Sequence, residues 1–186
     1  MRKLVAYTLM GLDGSVDDPS QYFRPSTDPD DPFEFDEETE AFEVDITRTQ
    51  DAVLLGRGMY EEWRRFWPTI SDHSFADFIN PVKKYVVTSR PLDGEWTNTE
   101  AVSGPLADLV GRLKAQPGGN IGVHGSIQLV QSLLAEDLLD ELRLVVGPVV
   151  GLPGRRLFEQ TGPSRRLRLV DGRTTPTGSL LLTYRT

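Results

Sequence analysis

The chain has 186 residues, 38% of them hydrophobic and 26% charged, which suits a single domain with a substantial core. It has no cysteine, which excludes disulfides, thiolate zinc sites and cysteine nucleophiles and indicates a cytoplasmic protein. The net charge is −8, and because no basic stripe or membrane-length apolar run occurs, neither nucleic acid nor a membrane is an expected partner.

The first third of the chain predicts a strand, a long acidic loop, a helix and a second strand. Residues 3–10 are rich in strand formers and reach a turn after a short apolar stretch, so they indicate a strand and not a signal peptide. Residues 15–35 are rich in Pro, Asp and Ser, and we expect this loop to act as a lid over a substrate. A helix is predicted over 36–49, where acidic residues crowd the first turn, and a buried strand over 52–55.

The rest of the chain continues this alternation and ends in a hairpin. Strands are predicted at 84–88, 97–102, 121–123, 141–150, 167–174 and 179–184. Helices are predicted at 59–67, at 105–116 and directly after Ser126, which is expected to cap the last of them. Strands that alternate with helices build parallel sheets, and the hairpin adds antiparallel strands. We therefore predict one α/β domain over 1–186, with three αβα layers and a mixed, mainly parallel sheet that has an antiparallel C-terminal edge.

Three turns at predicted strand ends carry residue types that bind phosphate. They are Gly56-Arg57-Gly58, Thr88-Ser89-Arg90 and His124-Gly125-Ser126. Ligands of parallel sheets bind where strands end, because backbone N–H groups and the helix dipole favour anions there. Glycine allows the backbone to approach a phosphate, and arginine binds it bidentately. Since Glu61 stands where the Rossmann fingerprint needs its third glycine, the turns predict an anion site but not that fingerprint.

Other catalytic patterns are missing from the sequence. The two histidines, His73 and His124, have no metal-binding spacing, and no serine stands in a G-x-S-x-G elbow. The acidic run 28–40 lacks the glycine and the terminal glutamate of a calcium loop. We therefore expect no metal site, and the acidic run is typical of a solvated loop and helix start.

Several short motifs occur in a specific order along nearly the whole chain. They are Leu12-Asp13-Gly14, Leu55-Gly56-Arg57-Gly58-Met59-Tyr60-Glu61, Val87-Thr88-Ser89-Arg90, Gly125-Ser126, Asp140-Glu141-Leu142 and Pro148-Val149-Val150. Together they resemble the dihydrofolate reductase-like superfamily, in the branch that contains the reductase domain of the bifunctional riboflavin-biosynthesis deaminase/reductase and its stand-alone bacterial relatives. Because the chain has no cysteine, it contains no zinc deaminase module and is not the bifunctional enzyme itself.

This resemblance implies a dihydrofolate reductase-like fold and an NADPH-dependent reductase. The residues implied to hold cofactor phosphates are Gly56, Arg57, Gly58, Thr88, Ser89, Arg90, His124, Gly125 and Ser126. Arginine suits a phosphate dianion, which favours NADPH over NADH. The implied substrate is a pterin-like or ribosylaminopyrimidine-like heterocycle, as for dihydrofolate reductase or 5-amino-6-(5-phosphoribosylamino)uracil reductase, and hydride would be transferred to its C=N or C=O group.

The resemblance also implies two catalytic candidates, Glu40 and Asp13. In dihydrofolate reductases an acidic residue on the first helix holds the substrate ring and assists protonation, and ungapped counting from Gly56 places Glu40 there. A carboxyl in an apolar cleft beside Phe42 is expected to have a raised pKa and to deliver a proton at neutral pH. Asp13 matches a family motif near the nicotinamide. Each acid also has a structural interpretation, Glu40 as a solvated acid and Asp13 as part of an Asp-Gly turn.

Two other functions stay open on the sequence alone. The first is a non-catalytic or regulatory protein that retains the fold and the dinucleotide site. The second is a dimeric interaction module in which the apolar segments 142–150 and 180–184 form the subunit interface. A homodimer is the assembly that we expect.

Overall fold

Strands and helices alternate along the chain, as the sequence pattern predicts, in a computed structural model that describes residues 1–21, 23, 35–159 and 162–186. Within these ranges the strands are β1 (Leu4–Gly11), β2 (Gln50–Gly56), β3 (Lys83–Val87), β4 (Thr99–Val102), β5 (Asn120–His124), β6 (Glu141–Gly147), β7 (Arg168–Thr174) and β8 (Leu180–Arg185). The α-helices there are α1 (Glu37–Thr47), α2 (Arg57–Phe66), α3 (Ser74–Ile79), α4 (Leu106–Ala115) and α5 (Ile127–Ala135). None of these helices combines the length and the apolar character needed to cross a bilayer.

All of these strands belong to one sheet, in the order β4-β3-β2-β5-β1-β6-β8-β7. Neighbouring strands from β4 to β6 are parallel. In contrast, β8 is antiparallel to β6, and β7 is antiparallel to β8. The predicted mixed sheet with an antiparallel C-terminal edge is therefore confirmed.

Helices cover both faces of the sheet, because alternate side chains of its central strands point to opposite sides. On one face, Phe42 and Ile46 of α1 pack with Val5 and Tyr7 of β1. Helices α2 and α3 continue this layer over β2 and β3. On the other face, α4 and α5 pack over Leu4 and the other alternate residues of the central strands. The predicted three-layer αβα arrangement is confirmed.

The structure departs from the predicted elements mainly at α3 and at the ends of α1 and β6. Helix α3 has no counterpart in the sequence prediction, because its six residues are too few to show a helical period, although Phe75 and Ile79 are buried. Helix α1 and strand β6 both end before the predicted residues, at Thr47 and Gly147. The lid predicted over 15–35 falls largely outside the described residues.

The apolar strands β6 and β8 lie inside the sheet and not at its edge. Strand β6 is flanked by β1 and β8, and its Leu142 and Leu144 are buried in the core. The edge strand on this side is β7, where Leu169 is 53% exposed and Val170 is 48% exposed. The strands that the dimer hypothesis assigned to an interface are therefore used within the chain, and the homodimer stays a prediction.

Residues 88–98, here called the crossover loop, connect the parallel strands β3 and β4 without a helix. Parallel connections usually cover the sheet with a helix, and here Trp96 fills that place. Trp96 is 7% exposed and shares an apolar cluster with Val53 and Val86. Its Nε1–H donates to Asn80 Oδ1 at 3.1 Å, so the loop is fixed both by burial and by a hydrogen bond.

Lys84 lies beneath Trp96, and its side chain is fully buried, with 0% exposure. The Lys84 ammonium donates to the backbone carbonyls of Asn80 and Val82 at 2.8 Å and of Thr97 at 2.9 Å. It also lies 4.5 Å from the centre of the Trp96 ring. Burial lowers the pKa of Lys84 to about 8. This lysine therefore joins β3 to the last residues of the crossover loop.

Candidate functional site

The carboxyl end of β5 is a topological switch point of the sheet. Strands β1 and β2, which flank β5, lead to helices on one face, whereas β5 leads to α5 on the other face. Chains that diverge in this way open a crevice, and ligands of α/β sheets bind there. The predicted turns Gly56-Arg57-Gly58 and His124-Gly125-Ser126 lie on the two sides of this crevice.

Two hydrogen bonds bring the three predicted turns together. The Gly56 N–H donates to Ser126 Oγ at 3.0 Å, which joins the ends of β2 and β5. Arg57 Nη1 donates to the carbonyl of Pro91 at 2.7 Å, directly after Arg90. Ser126 precedes α5 as predicted, but its hydroxyl does not cap that helix. The predicted position of Ser126 as the N-cap of α5 is therefore confirmed, whereas its hydroxyl accepts from Gly56 and makes no capping hydrogen bond.

Gly125 is required by both its backbone and its packing. Its φ is +64°, a conformation that side chains other than glycine rarely adopt. A Cβ at this position would lie 2.9 Å from Met59 Cε and 2.9 Å from Trp63 Cζ2. Because α2 closes over this turn so tightly, the turn has one defined shape.

The two glycines at the start of α2 are not demanded by the packing of the protein itself. Gly56 has a φ of −75°, and a Cβ there would make ordinary contact with Ser126 Oγ at 3.7 Å. A Cβ at Gly58 would have no atom within 4 Å. The space beside the first turn of α2 is therefore open, and N–H groups at a helix start attract anions, so a phosphate group fits here.

The two arginines predicted to bind phosphate differ in their surroundings. Arg57 forms ion pairs with Glu61 at 2.6 Å and with Asp93 at 2.8 Å, so its guanidinium already has anionic partners. Arg90 is exposed, and among the described residues its guanidinium has no ion-pair partner. Thr88 Oγ1 accepts from the Arg90 N–H at 3.2 Å and closes the turn that presents this arginine.

The side chain of His124 lies inside the protein and does not reach the crevice. It is 1% exposed and is surrounded by the rings of Tyr7, Phe75 and Phe78, with centroids 5.4–5.8 Å away. Its Nε2 is 2.8 Å from Gln50 Oε1. The prediction of a cofactor ligand therefore fails for this imidazole, because β5 directs it under α1 and α3, and only the His124 backbone borders the switch point.

Burial lowers the pKa of His124 to about 3, and this predicts loss of stability in acid. In the unfolded chain a histidine takes up a proton near pH 6.5, whereas in the folded chain His124 stays neutral down to about pH 3. Between these values the unfolded state binds more protons, so the free energy of unfolding falls as the pH falls, by about 1.4 kcal/mol per pH unit.

Chemical denaturation of His124→Gln from pH 7 to pH 4 measures this effect. Glutamine at position 124 cannot take up a proton, so the free energy of unfolding of the variant should fall less steeply with falling pH than that of the wild type. His73→Gln replaces the other histidine, which is exposed, and serves as the matched control. Equal acid slopes for the wild type and His124→Gln would contradict the assignment.

Glu43, and not Glu40, is the carboxyl that lies among apolar residues of α1. Glu40 is exposed, and its Oε1 accepts from Ser74 Oγ at 3.2 Å. Glu43 is 8% exposed, and its pKa is raised to about 7 by burial and by the negative charge of Glu40. The buried Tyr7 hydroxyl lies near this carboxyl, although not in ordinary hydrogen-bond geometry, and it opposes part of the rise in the pKa of Glu43. The predicted position of Glu40 in an apolar cleft is therefore wrong.

The sequence contains a signal for Glu43 that ungapped counting passes over. The buried residues of α1 are Thr39, Phe42, Glu43, Ile46 and Thr47. Their spacing of three and four residues marks one helix face, and an acid on such a face is expected to be desolvated.

Asp13 joins the turn after β1 to the loop after β6. Its Oδ2 accepts from the Gly151 N–H at 2.9 Å and from Arg156 Nη2 at 3.2 Å, and its Oδ1 accepts from the Ser15 N–H at 3.1 Å. The hydrogen bonds from Gly151 and Ser15 lower the pKa of Asp13 to about 2. These contacts give Asp13 an anchoring role between the two loops, and its catalytic role stays a prediction.

Comparison with known proteins places the chain among riboflavin-biosynthesis reductase-like domains. The model of the RibD C-terminal domain matches residues 2–181. The uncharacterized protein YwjB of Bacillus subtilis (strain 168) is 30% identical over 170 residues, which are 90% of this chain and 89% of YwjB. A Shewanella sp. PV-4 structure, named for riboflavin biosynthesis, has a TM-score of 0.72 at 18% identity and covers 98% of both chains.

A larger structural neighbour is the diaminohydroxyphosphoribosylaminopyrimidine deaminase/5-amino-6-(5-phosphoribosylamino)uracil reductase of Thermotoga maritima. Its TM-score is 0.66 at 12% identity, and the match covers 99% of this chain but 56% of the Thermotoga chain. The predicted family resemblance and the predicted α/β fold are confirmed by these matches.

Proposed function

This chain belongs to the RibD C-terminal domain family, and from that membership we propose that it is an NADPH-dependent reductase. Its substrate would be a ribosylaminopyrimidine-like or pterin-like heterocycle, reduced at a C=N or C=O bond. One observation supports the proposal above all others. The turns 56–58 and 124–126 meet at the switch point of the sheet, where a dinucleotide is expected to bind, and Arg57 links them to the third turn through the Pro91 carbonyl.

The residues at the switch point fit the phosphates of a dinucleotide. The open space at Gly58 and the N–H groups of the first turn of α2 suit an anion, and the exposed Arg90 adds positive charge after the neighbouring strand β3. The rigid turn at Gly125 supports this site from β5. Bound NADPH would supply the hydride. The residues named here bind and orient the cofactor and take no part in bond making.

We assign the proton to Glu43. Reduction of a C=N or C=O bond adds a hydride to carbon and a proton to nitrogen or oxygen. Because the pKa of Glu43 is about 7, this carboxyl is partly protonated at neutral pH and can donate that proton. The carboxylate left behind takes up a proton from solvent before the next turnover.

A titration with NADPH and with NADH, followed by a turnover assay, tests the proposed function. Saturable quenching of NADPH fluorescence, together with NADPH oxidation in the presence of 5-amino-6-(5-phosphoribosylamino)uracil or dihydrofolate, is the expected result. Binding without turnover of any heterocycle would favour a non-catalytic dinucleotide-binding protein. Failure to bind either dinucleotide would refute the proposal.

Arg57→Ala is expected to weaken NADPH binding by about 10- to 100-fold, because a charge-assisted hydrogen bond to phosphate contributes roughly 1.5–3 kcal/mol. Fluorescence titration of the variant measures the loss. Arg65→Ala removes an exposed arginine from the last turn of the same helix and is the matched control. Unchanged NADPH affinity in Arg57→Ala, with a normal melting temperature, would overturn the assignment of this turn.

A further inference from the structure

The guanidinium of Arg57 is enclosed by acceptors that belong to the chain itself. Its Nε donates to Glu61 Oε1 at 2.6 Å, its Nη1 to the Pro91 carbonyl at 2.7 Å and its Nη2 to Asp93 Oδ2 at 2.8 Å. Three of the five N–H groups of the guanidinium therefore have a partner, one on each nitrogen. A phosphate that approaches Arg57 therefore competes with these partners for the guanidinium.

The three partners are not held equally. Glu61 lies one turn further along α2, so its contact with Arg57 is local to one helix. Pro91 contributes a backbone carbonyl. The Asp93 side chain belongs to the crossover loop and is 76% exposed, so its carboxylate is already largely solvated. Breaking its ion pair with Arg57 therefore costs little free energy. Asp93 is therefore the partner that an incoming anion replaces most easily.

The crossover loop does not depend on Asp93 for its position. Tyr60 Oη donates to the carbonyl of Gly94 at 3.0 Å, and the indole of Trp96 is buried and hydrogen-bonded. These contacts lie next to Asp93 in the loop and do not involve its carboxylate. Release of the Asp93 carboxylate from Arg57 therefore leaves the path of the loop intact.

We infer that Asp93 is a built-in counter-ion, which occupies Arg57 in the ligand-free chain and yields it to a phosphate of the dinucleotide. The inference rests on the proposed function, since it concerns the same anion site. It makes Asp93 a specificity-determining residue. A ligand without the phosphate meets an arginine that is already neutralised and gains nothing from it, whereas a phosphate dianion outcompetes a single carboxylate.

Asp93→Asn tests this inference, because the amide keeps the shape of the side chain but removes its negative charge. We expect the variant to bind adenosine 2′,5′-bisphosphate about three- to tenfold more tightly than the wild type, since neither competition nor like-charge repulsion opposes the phosphate. Isothermal titration calorimetry measures both affinities. Adenosine 5′-diphosphate, run in parallel, shows which phosphate is involved, and a gain for either ligand supports a displaced counter-ion.

The matched control is Asp137→Asn, in the turn between α5 and β6. Asp137 is also exposed, at 82%, and is also paired with an arginine, Arg165, at 3.1 Å. It therefore reports the effect of net charge alone, and its affinities should equal those of the wild type. If the wild type binds and Asp93→Asn gains no more than this control, the inference fails and the proposed function stands. If neither the wild type nor Asp93→Asn binds any of the adenine nucleotides, the proposed function fails together with the inference.

Discussion

Glu43→Gln is expected to slow substrate reduction by about 100- to 10,000-fold, the usual contribution of a positioned general acid. Glutamine retains the size of the side chain but has no proton to deliver. Single-turnover oxidation of bound NADPH measures the chemical step, and the NADPH affinity, measured separately, should stay within about twofold of the wild type.

The pH profile gives an independent test of Glu43. Burial and the charge of Glu40 raise the pKa of Glu43 to about 7, so the acid is protonated below pH 7, and the rate should fall as the pH rises through that value. Glu40→Gln is the matched control on the same helix. It removes the neighbouring charge, which lowers the pKa of Glu43 and moves the fall in rate to lower pH. A profile that stays flat through pH 7, or a larger loss in Glu40→Gln than in Glu43→Gln, would contradict the assignment.

Lys84→Met is expected to lower the free energy of unfolding by about 3–4 kcal/mol, the largest stability effect that we predict. Methionine fills a similar volume but leaves the carbonyls of Asn80, Val82 and Thr97 without their shared donor. Buried acceptors without a donor are costly, and the contact with the ring of Trp96 is lost as well. Urea denaturation at pH 7 measures the change.

The neighbouring lysine supplies the control. Lys83 lies on the same strand, but its side chain is 31% exposed and pairs with Glu100 at 2.8 Å, so Lys83→Met should cost less than about 1 kcal/mol. The pH dependence adds a second criterion. The pKa of Lys84 is about 8 in the folded state and 10.5 in the unfolded state, so the unfolded state binds more protons between pH 8 and pH 10.5. Wild-type stability therefore gains a contribution as the pH rises from 8 to 10.5, which Lys84→Met should lack.

Much of the fold could be predicted because its determinants are local. The apolar run 52–55 indicates a strand buried on both faces, and the structure buries it as part of β2. The alternation of such runs with helical periods specifies a parallel sheet without any knowledge of partners. Local pattern could not reveal α3, because six residues are too few to show a helical period. It could not reveal the crossover loop either, because that loop is fixed by Trp96, which packs in a cluster formed by other elements.

The site was harder to predict, because its side chains are paired with residues distant in sequence. Arg57 and Asp93 are 36 residues apart, and His124 and Gln50 are 74 residues apart, so no local pattern shows that these groups are already engaged. Glu43 is different, since its place on the buried face of α1 follows from helical spacing alone. Ungapped counting selected Glu40 because it matched distance along the chain and not direction around the helix.

The crossover loop couples two ends of the molecule that share no direct contact. It leaves the carboxyl end of β3, where it carries Arg90, and returns to the amino end of β4, where the carbonyl of Thr97 accepts from the buried ammonium of Lys84. A segment fixed at both ends tends to order and to open as one cooperative unit. Free energy gained by ordering its first residues around an anion is therefore shared with its last residues. By thermodynamic reciprocity, weakening the hold on Thr97 should lower the affinity for that anion by the free energy that couples the two contacts.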